Sequence, residues 1–199
     1  MGIIRFFTVH QLILLFCGIL SAFSQTENSP PALGDPVTAI NEIIYSPEFI
    51  IENHTGYALS IAHAVFRLSE KSGSDTLKVK SFFVMGRVKI FLAQYDTALT
   101  LLSKGTTLLT KVNDQVLEAK YYAETGKLLK FMRDYENSLI YYIKASTSFS
   151  ALQLHDDLAI NRLGIAELYR KLGLYDRASY AIHDVKEYIE NNNPSDFAL

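Results

Sequence analysis

The 199-residue chain reads as an all-α solenoid built from helix-turn-helix hairpins, and three observations predict that class. The first is self-similarity at a forty-residue period. Tyr95, Tyr135 and Tyr175 are evenly spaced, and so are Ala58, Ala98, Ser138 and Ala178; recurrence at a fixed period of this size marks a repeat architecture. The second is apolar spacing at helical intervals, as where Ile61, Ala62, Val65 and Leu68 share one face. The third is punctuation: Ser72-Gly73-Ser74, Asn113-Asp114 and Gly173 fall between the apolar runs, where helices stop and start. The stretch from Leu163 to Ala178 serves as the ruler, with a helix to Lys171, a turn at Gly173 and a second helix from about Tyr175.

The elements follow in order. Residues 1–24 have the pattern of a signal peptide: Arg5 before an apolar run from Leu12 to Leu20, then Ala22 and Ser24 as small residues before a cut at Gln25. An uncleaved membrane anchor is the competing reading, since Ile3 to Phe23 nearly suffices to span a bilayer. Loss of Arg5 with the leader leaves 18 basic and 21 acidic residues, a net charge of -3. Residues 25–34 are polar and carry Pro30 and Pro31, as a flexible linker does. Asp35-Pro36 is an N-cap followed by proline at the first helical position, opening a helix to about Tyr45. Ser46-Pro47 interrupts it, a short piece runs to about Glu52, and Ala58 to Lys71 completes a degenerate opening repeat over 35–73.

Three fuller repeats follow, over 74–112, 113–153 and 154–190. Their helices are expected at Thr76–Phe91 with Asp96–Lys111, Gln115–Phe131 with Glu136–Leu152, and Asp156–Lys171 with Asp176–Glu190. Asp75 is the expected cap of the first of these, and Asn113 or Asp114 that of the third. Asn191-Asn192-Asn193-Pro194 stops the last helix, leaving a short tail over 191–199.

Within each hairpin the same positions carry small or aromatic residues. Gly86, Gly126 and Ala166 lie mid-way along the first helix; Tyr95, Tyr135 and Tyr175 follow the turn; Ala58, Ala98, Ser138 and Ala178 lie early in the second. Small residues at a crossing let two backbones approach, and a tyrosine fills the gap beside the turn. On these residues the stretch from Asp35 to Glu190 resembles tetratricopeptide repeats, in the long-period variant found in bacterial signalling and regulatory proteins. The period is forty rather than the thirty-four usual in that family, and Arg162 stands where Phe82 and Tyr122 supply an aromatic. The resemblance implies a right-handed α-solenoid of antiparallel hairpins whose first helices line a concave face. It also implies a role in signal transduction, where such arrays act as sensory input.

The residues themselves exclude several classes. The single cysteine, Cys17, falls in the leader, so the folded part has no disulfide and no thiolate ligand. The five histidines are scattered, and neither Gly-x-Ser-x-Gly nor a phosphate-cradling glycine loop occurs. No enzyme, no cofactor and no metal are therefore expected, and a net charge of -2 gives no attraction for nucleic acid. Asp156-Asp157 beside His155 is read as helix capping, and His63 as a packing residue on an apolar face.

The positive side chains of the first helices recur with the register: Lys80 with Lys120, Arg87 with Lys127, Lys130 with Arg170. Phe83, Ile90 and Leu163 are their expected apolar neighbours. Together these nine suggest a groove for a protein or an extended, carboxylate-bearing peptide. A merely solvated face competes, with Glu124 and Glu167 near enough to neutralise part of it. The last helix offers Tyr180, Ile182, Val185, Tyr188 and Ile189 around its circumference, which points to a longer protein or to self-association. The expected function is thus an exported, non-enzymatic interaction module, periplasmic or extracellular and membrane-bound only if the leader is retained. An architectural subunit of a cell-envelope assembly is the alternative.

Overall fold

The computed structural model describes residues 35–45 and 51–192. The leader, the linker, the Ser46-Pro47 interruption and the tail beyond Asn192 lie outside the described residues. Among the described residues the fold is all α, with eight helices and no strand. They are α1 (Pro36–Tyr45), α2 (Ile51–Ser72), α3 (Asp75–Phe91), α4 (Tyr95–Leu109), α5 (Gln115–Phe131), α6 (Tyr135–Ala151), α7 (His155–Lys171) and α8 (Tyr175–Asn192). Each packs on the next, and the odd-numbered helices α1, α3, α5 and α7 also touch one another in turn. The arrangement is that of a helical repeat.

Helix ends repeat as faithfully as the helices. At the close of α3 the Gln94 amide donates to the Lys89 carbonyl at 2.9 Å; Asp134 to Leu129, Leu154 to Phe149 and Leu174 to Tyr169 do the same. This is the Schellman closure, which needs a left-handed residue just past the helix. Ala93 (φ 56°), Arg133 (φ 65°), Gln153 (φ 58°) and Gly173 (φ 73°) occupy that position, of which only the last is the glycine that adopts it without cost.

Helix starts differ from expectation in three places. Ser74, not Asp75, caps α3, its side chain accepting from the Leu77 amide at 3.3 Å. Neither Asp156 nor Asp157 caps α7; Leu154 holds the cap position, and the two acids lie in the first turn with partners of their own. Asp114 does cap α5, accepting from the Leu117 amide at 2.9 Å. The helix α2 starts at Ile51, before the expected Ala58, and bends at His54 (φ -131°, ψ 25°).

The main core runs through α1–α5, with Ile40, Ile43, Ile61, Val65, Val79, Phe83, Val88, Leu102, Leu117 and Leu128 buried. A smaller cluster of Ala119, Ala145 and Phe149 joins α5 and α6 and carries Leu158 of α7 against it. Burial of one such leucine or phenylalanine contributes roughly 1.5–3 kcal/mol. His63, expected in packing, is exposed. Among the described residues no helix is long and apolar enough to cross a membrane.

Candidate functional site

A cleft of about 390 Å³ opens between α3, α5, α6 and α7, with Ile44 of α1 at one end. The forty-residue register brings the same helical position of successive first helices to this one place. Of the nine residues expected to form a groove, Phe83, Arg87, Lys120, Lys127, Lys130 and Leu163 line it. Lys80 lies outside, donating to Asn41 Oδ1 at 2.8 Å with its ammonium over the Tyr45 ring. Arg170 is exposed and does not line the cleft. Phe83 and Ile90, expected as surface neighbours, are core residues at 1% and 3% exposure. Phe83 packs on the Tyr121 ring, centroids 5.0 Å apart, and gives the cleft only an edge.

The expected basic surface is largely neutralised from within. Arg87 Nε stands 2.9 Å from Glu124 Oε1, and Arg87 Nη1 donates to the Ile43 carbonyl at 3.2 Å. Lys120 donates to Asp157 Oδ1 at 2.6 Å, and Lys130 donates to Glu167 Oε2. Each carboxylate lies thirty-seven residues after its cation: 87 to 124, 120 to 157, 130 to 167. One repeat of forty less three is one repeat less about a helical turn, so each first helix stacks on the next with that stagger. The pairs tie α3 to α5 and α5 to α7. Lys127 alone among the cleft's cations makes no direct ion pair among the described residues, although its charge is the strongest of those acting on Glu124. With four basic and three acidic side chains in the lining, the cleft carries a formal charge of +1.

Glu124 shows the balance of forces most clearly. Burial pushes its carboxyl up, but the charges of Lys127, Arg87 and Lys120 outweigh burial and hold it below the usual 4.5. Its other oxygen, Oε2, has no hydrogen-bond partner among the described residues. Asn161 is 3% exposed and donates through Nδ2 to the Tyr142 carbonyl and to Ser146 Oγ, both at 2.8 Å, while its Oδ1 accepts nothing. Tyr142, 4% exposed, sits between two glycines. A Cβ at Gly126 would stand 3.1 Å from its ring, and one at Gly164 2.9 Å from its hydroxyl. Burial raises the Tyr142 phenol, with the charges of Glu124 and Glu167 adding to it, so the group stays protonated.

The repeat-packing residues fall as follows. Gly86, Gly126 and Ala166 are buried, as are Ala58, Ala98, Ser138 and Ala178. Gly86 faces Leu102, whose side chain a Cβ would approach to 2.7 Å. Ser138 is tolerated in a buried place because its hydroxyl donates to the Gly126 carbonyl at 2.7 Å. The tyrosines diverge. Tyr95 stacks on Phe131 of the next hairpin at 5.7 Å and 6°, Tyr135 is half-buried, and Tyr175 is 69% exposed. Tyr175 fills no gap, because no further hairpin follows it among the described residues to supply a stacking partner.

Sequence reasoning missed Tyr142, Asn161, Asp157 and Gly164 as members of the site. Asn161 carried a signal: by register it falls at the position of Tyr121, where a packing residue is expected. Among the described residues no group of three or more His, Cys, Asp or Glu stands together to hold a metal. No protein-family model matches the chain, and no curated protein matches it.

Proposed function

We propose that the chain is a non-enzymatic interaction module, an adaptor or sensory input domain that holds a peptide or protein segment in the cleft. The reading takes the array as a right-handed, tetratricopeptide-like solenoid of antiparallel hairpins. Its supports are the forty-residue register and the three-residue turns within hairpins, which leave room only for antiparallel neighbours. It takes the chain as exported, on the leader pattern of residues 1–24.

The observation that carries the reading is the cleft itself, which joins side chains of four successive repeats and offers Lys127 without a direct ion pair among the described residues. At about 390 Å³ it is at the small end of ligand sites, sized for one or two side chains of an extended segment. Selection of a displayed peptide library on the full chain tests it, with Ala123→Trp as the variant whose cleft is filled. Selected peptides should bind the chain and lose at least about tenfold in affinity on the filled variant, the loss of a buried anchoring contact. Peptides that bind both equally would overturn the reading.

A second reading, an architectural subunit working through its ends, is favoured by one feature. Tyr175 (69% exposed), Tyr180 (70%) and Ile182 (44%) leave the last helix with an apolar surface. Molecular mass that rises with concentration in those same preparations, with no selectable peptide, would favour this alternative.

A further inference from the structure

A basic groove suggests an acidic ligand, yet three of the cleft's four cations already hold carboxylates. What the cleft leaves unmet among the described residues is two acceptors against one donor, Arg87 Nε, which pairs with Glu124 Oε1 at 2.9 Å by charge without hydrogen-bond geometry. Asn161 Oδ1 accepts no hydrogen bond, although the residue is almost wholly buried. Its orientation is fixed: the Tyr142 carbonyl only accepts, so turning the amide over would set two acceptors face to face. Glu124 Oε2 is equally unmatched. Tyr142 borders the same space, with the charges of Glu124 and Glu167 acting on its hydroxyl. A buried acceptor without a donor carries a standing cost that a donor would remove.

We propose that this end of the cleft takes a basic side chain, an ammonium or a guanidinium, from an extended peptide, and that Lys127 takes a carboxylate on the same peptide. The cation donates to Asn161 Oδ1, Glu124 Oε2 and the Tyr142 oxygen. Both acceptors are sealed from solvent, so entry of the cation requires the Glu124 carboxylate to turn by a change of rotamer, leaving the fold as it is. The paired carboxylate follows from charge: a lone cation would take the lining from +1 to +2, and a carboxylate at Lys127 restores it. This rests on the reading of the cleft as a peptide site, and it reverses the sign of the ligand's deeper group.

The test uses a labelled hexapeptide with one arginine and one glutamate, titrated on the full chain by fluorescence anisotropy. Companion probes replace arginine by lysine, by its neutral isostere citrulline, or glutamate by glutamine. Citrulline should weaken binding by about tenfold or more, the value of a charge-assisted hydrogen bond, while lysine keeps most of the affinity. The variant Glu124→Gln should erase the difference between the arginine and citrulline probes, and Lys127→Gln the difference between glutamate and glutamine. The citrulline comparison is made on the unmodified chain, so it stands even if a variant folds poorly. Equal binding of the citrulline probe, or tighter binding of purely acidic peptides, would overturn the inference and leave the peptide-site reading intact. Failure of these probes alongside successful library selection at the cleft would also overturn the inference alone. Failure of every peptide would overturn both.

Discussion

At Gly105 a Cβ would lie 1.9 Å from the Tyr121 hydroxyl, which donates to the Val79 carbonyl at 2.7 Å. Three helices thus meet at one phenol, with α5 supplying the ring, α3 the acceptor and α4 the space. Gly105→Ala therefore sets two effects against each other. Helix propensity favours alanine by about 1 kcal/mol. Against that stand overpacking at about 1–3 kcal/mol and a buried hydrogen bond worth about 1 kcal/mol. The clash reaches a ring held by Phe83, packed 5.0 Å away, and by the hydrogen bond to Val79, so the packing loss wins. A lower urea midpoint is expected, by about 1–3 kcal/mol net; an unchanged or raised midpoint would refute the assignment. Glu124 sets the acid limit of the same region. Its folded-state value lies below the unfolded 4.5, so its contribution is present above that pH and lost as pH falls through the lowered folded value.

Among the elements, the three-residue turn that joins α3 to α4, α5 to α6 and α7 to α8 is the unit that recurs most closely. Each needs one left-handed residue, and the chain fills that place with Ala93, Arg133 and Gly173 in successive hairpins. A left-handed alanine costs about 1–2 kcal/mol relative to glycine, offset in part by glycine's greater freedom in the unfolded chain, about 0.4–1 kcal/mol. Ala93→Gly and Arg133→Gly are therefore expected to stabilise, each by up to about 1 kcal/mol. The same change at exposed Lys104 within α4 should destabilise by about 0.5–1 kcal/mol. Thermal unfolding of the three variants checks the contrast; a loss of stability at Ala93 and Arg133 would contradict the turn geometry. These turns were legible in the sequence because Gly173 names the position and the tyrosine after it repeats. The capping of α3 was less so, since Ser74 and Asp75 are both good caps and only the backbone geometry decides between them.

Across the whole molecule, the first helices are linked by cations that each find a carboxylate thirty-seven residues on, from α3 to α5 and from α5 to α7. The forty-residue period reads directly from the sequence. The three-residue stagger that converts it to thirty-seven does not, because it belongs to how one helix stacks on another. That is why Lys120 and Lys130 looked free in the sequence and are paired in the fold. For the same reason Phe83 and Ile90, on a face shared with the cations, proved to be core. Lys127 kept its place because the position thirty-seven residues on is Gly164, which has no carboxylate to offer. Asn161 and Tyr142 come from different helices, and no local pattern joins them.

The cleft between α3, α5, α6 and α7 is the proposed peptide site. Hydrogen–deuterium exchange of the full chain, with and without a library-selected peptide, tests it most directly. Slowed exchange over residues 123–130 of α5 and 160–167 of α7, with α8 unchanged, is the predicted result. Protection confined to α8, or spread over α4 and α6 while α5 and α7 exchange as before, would contradict it.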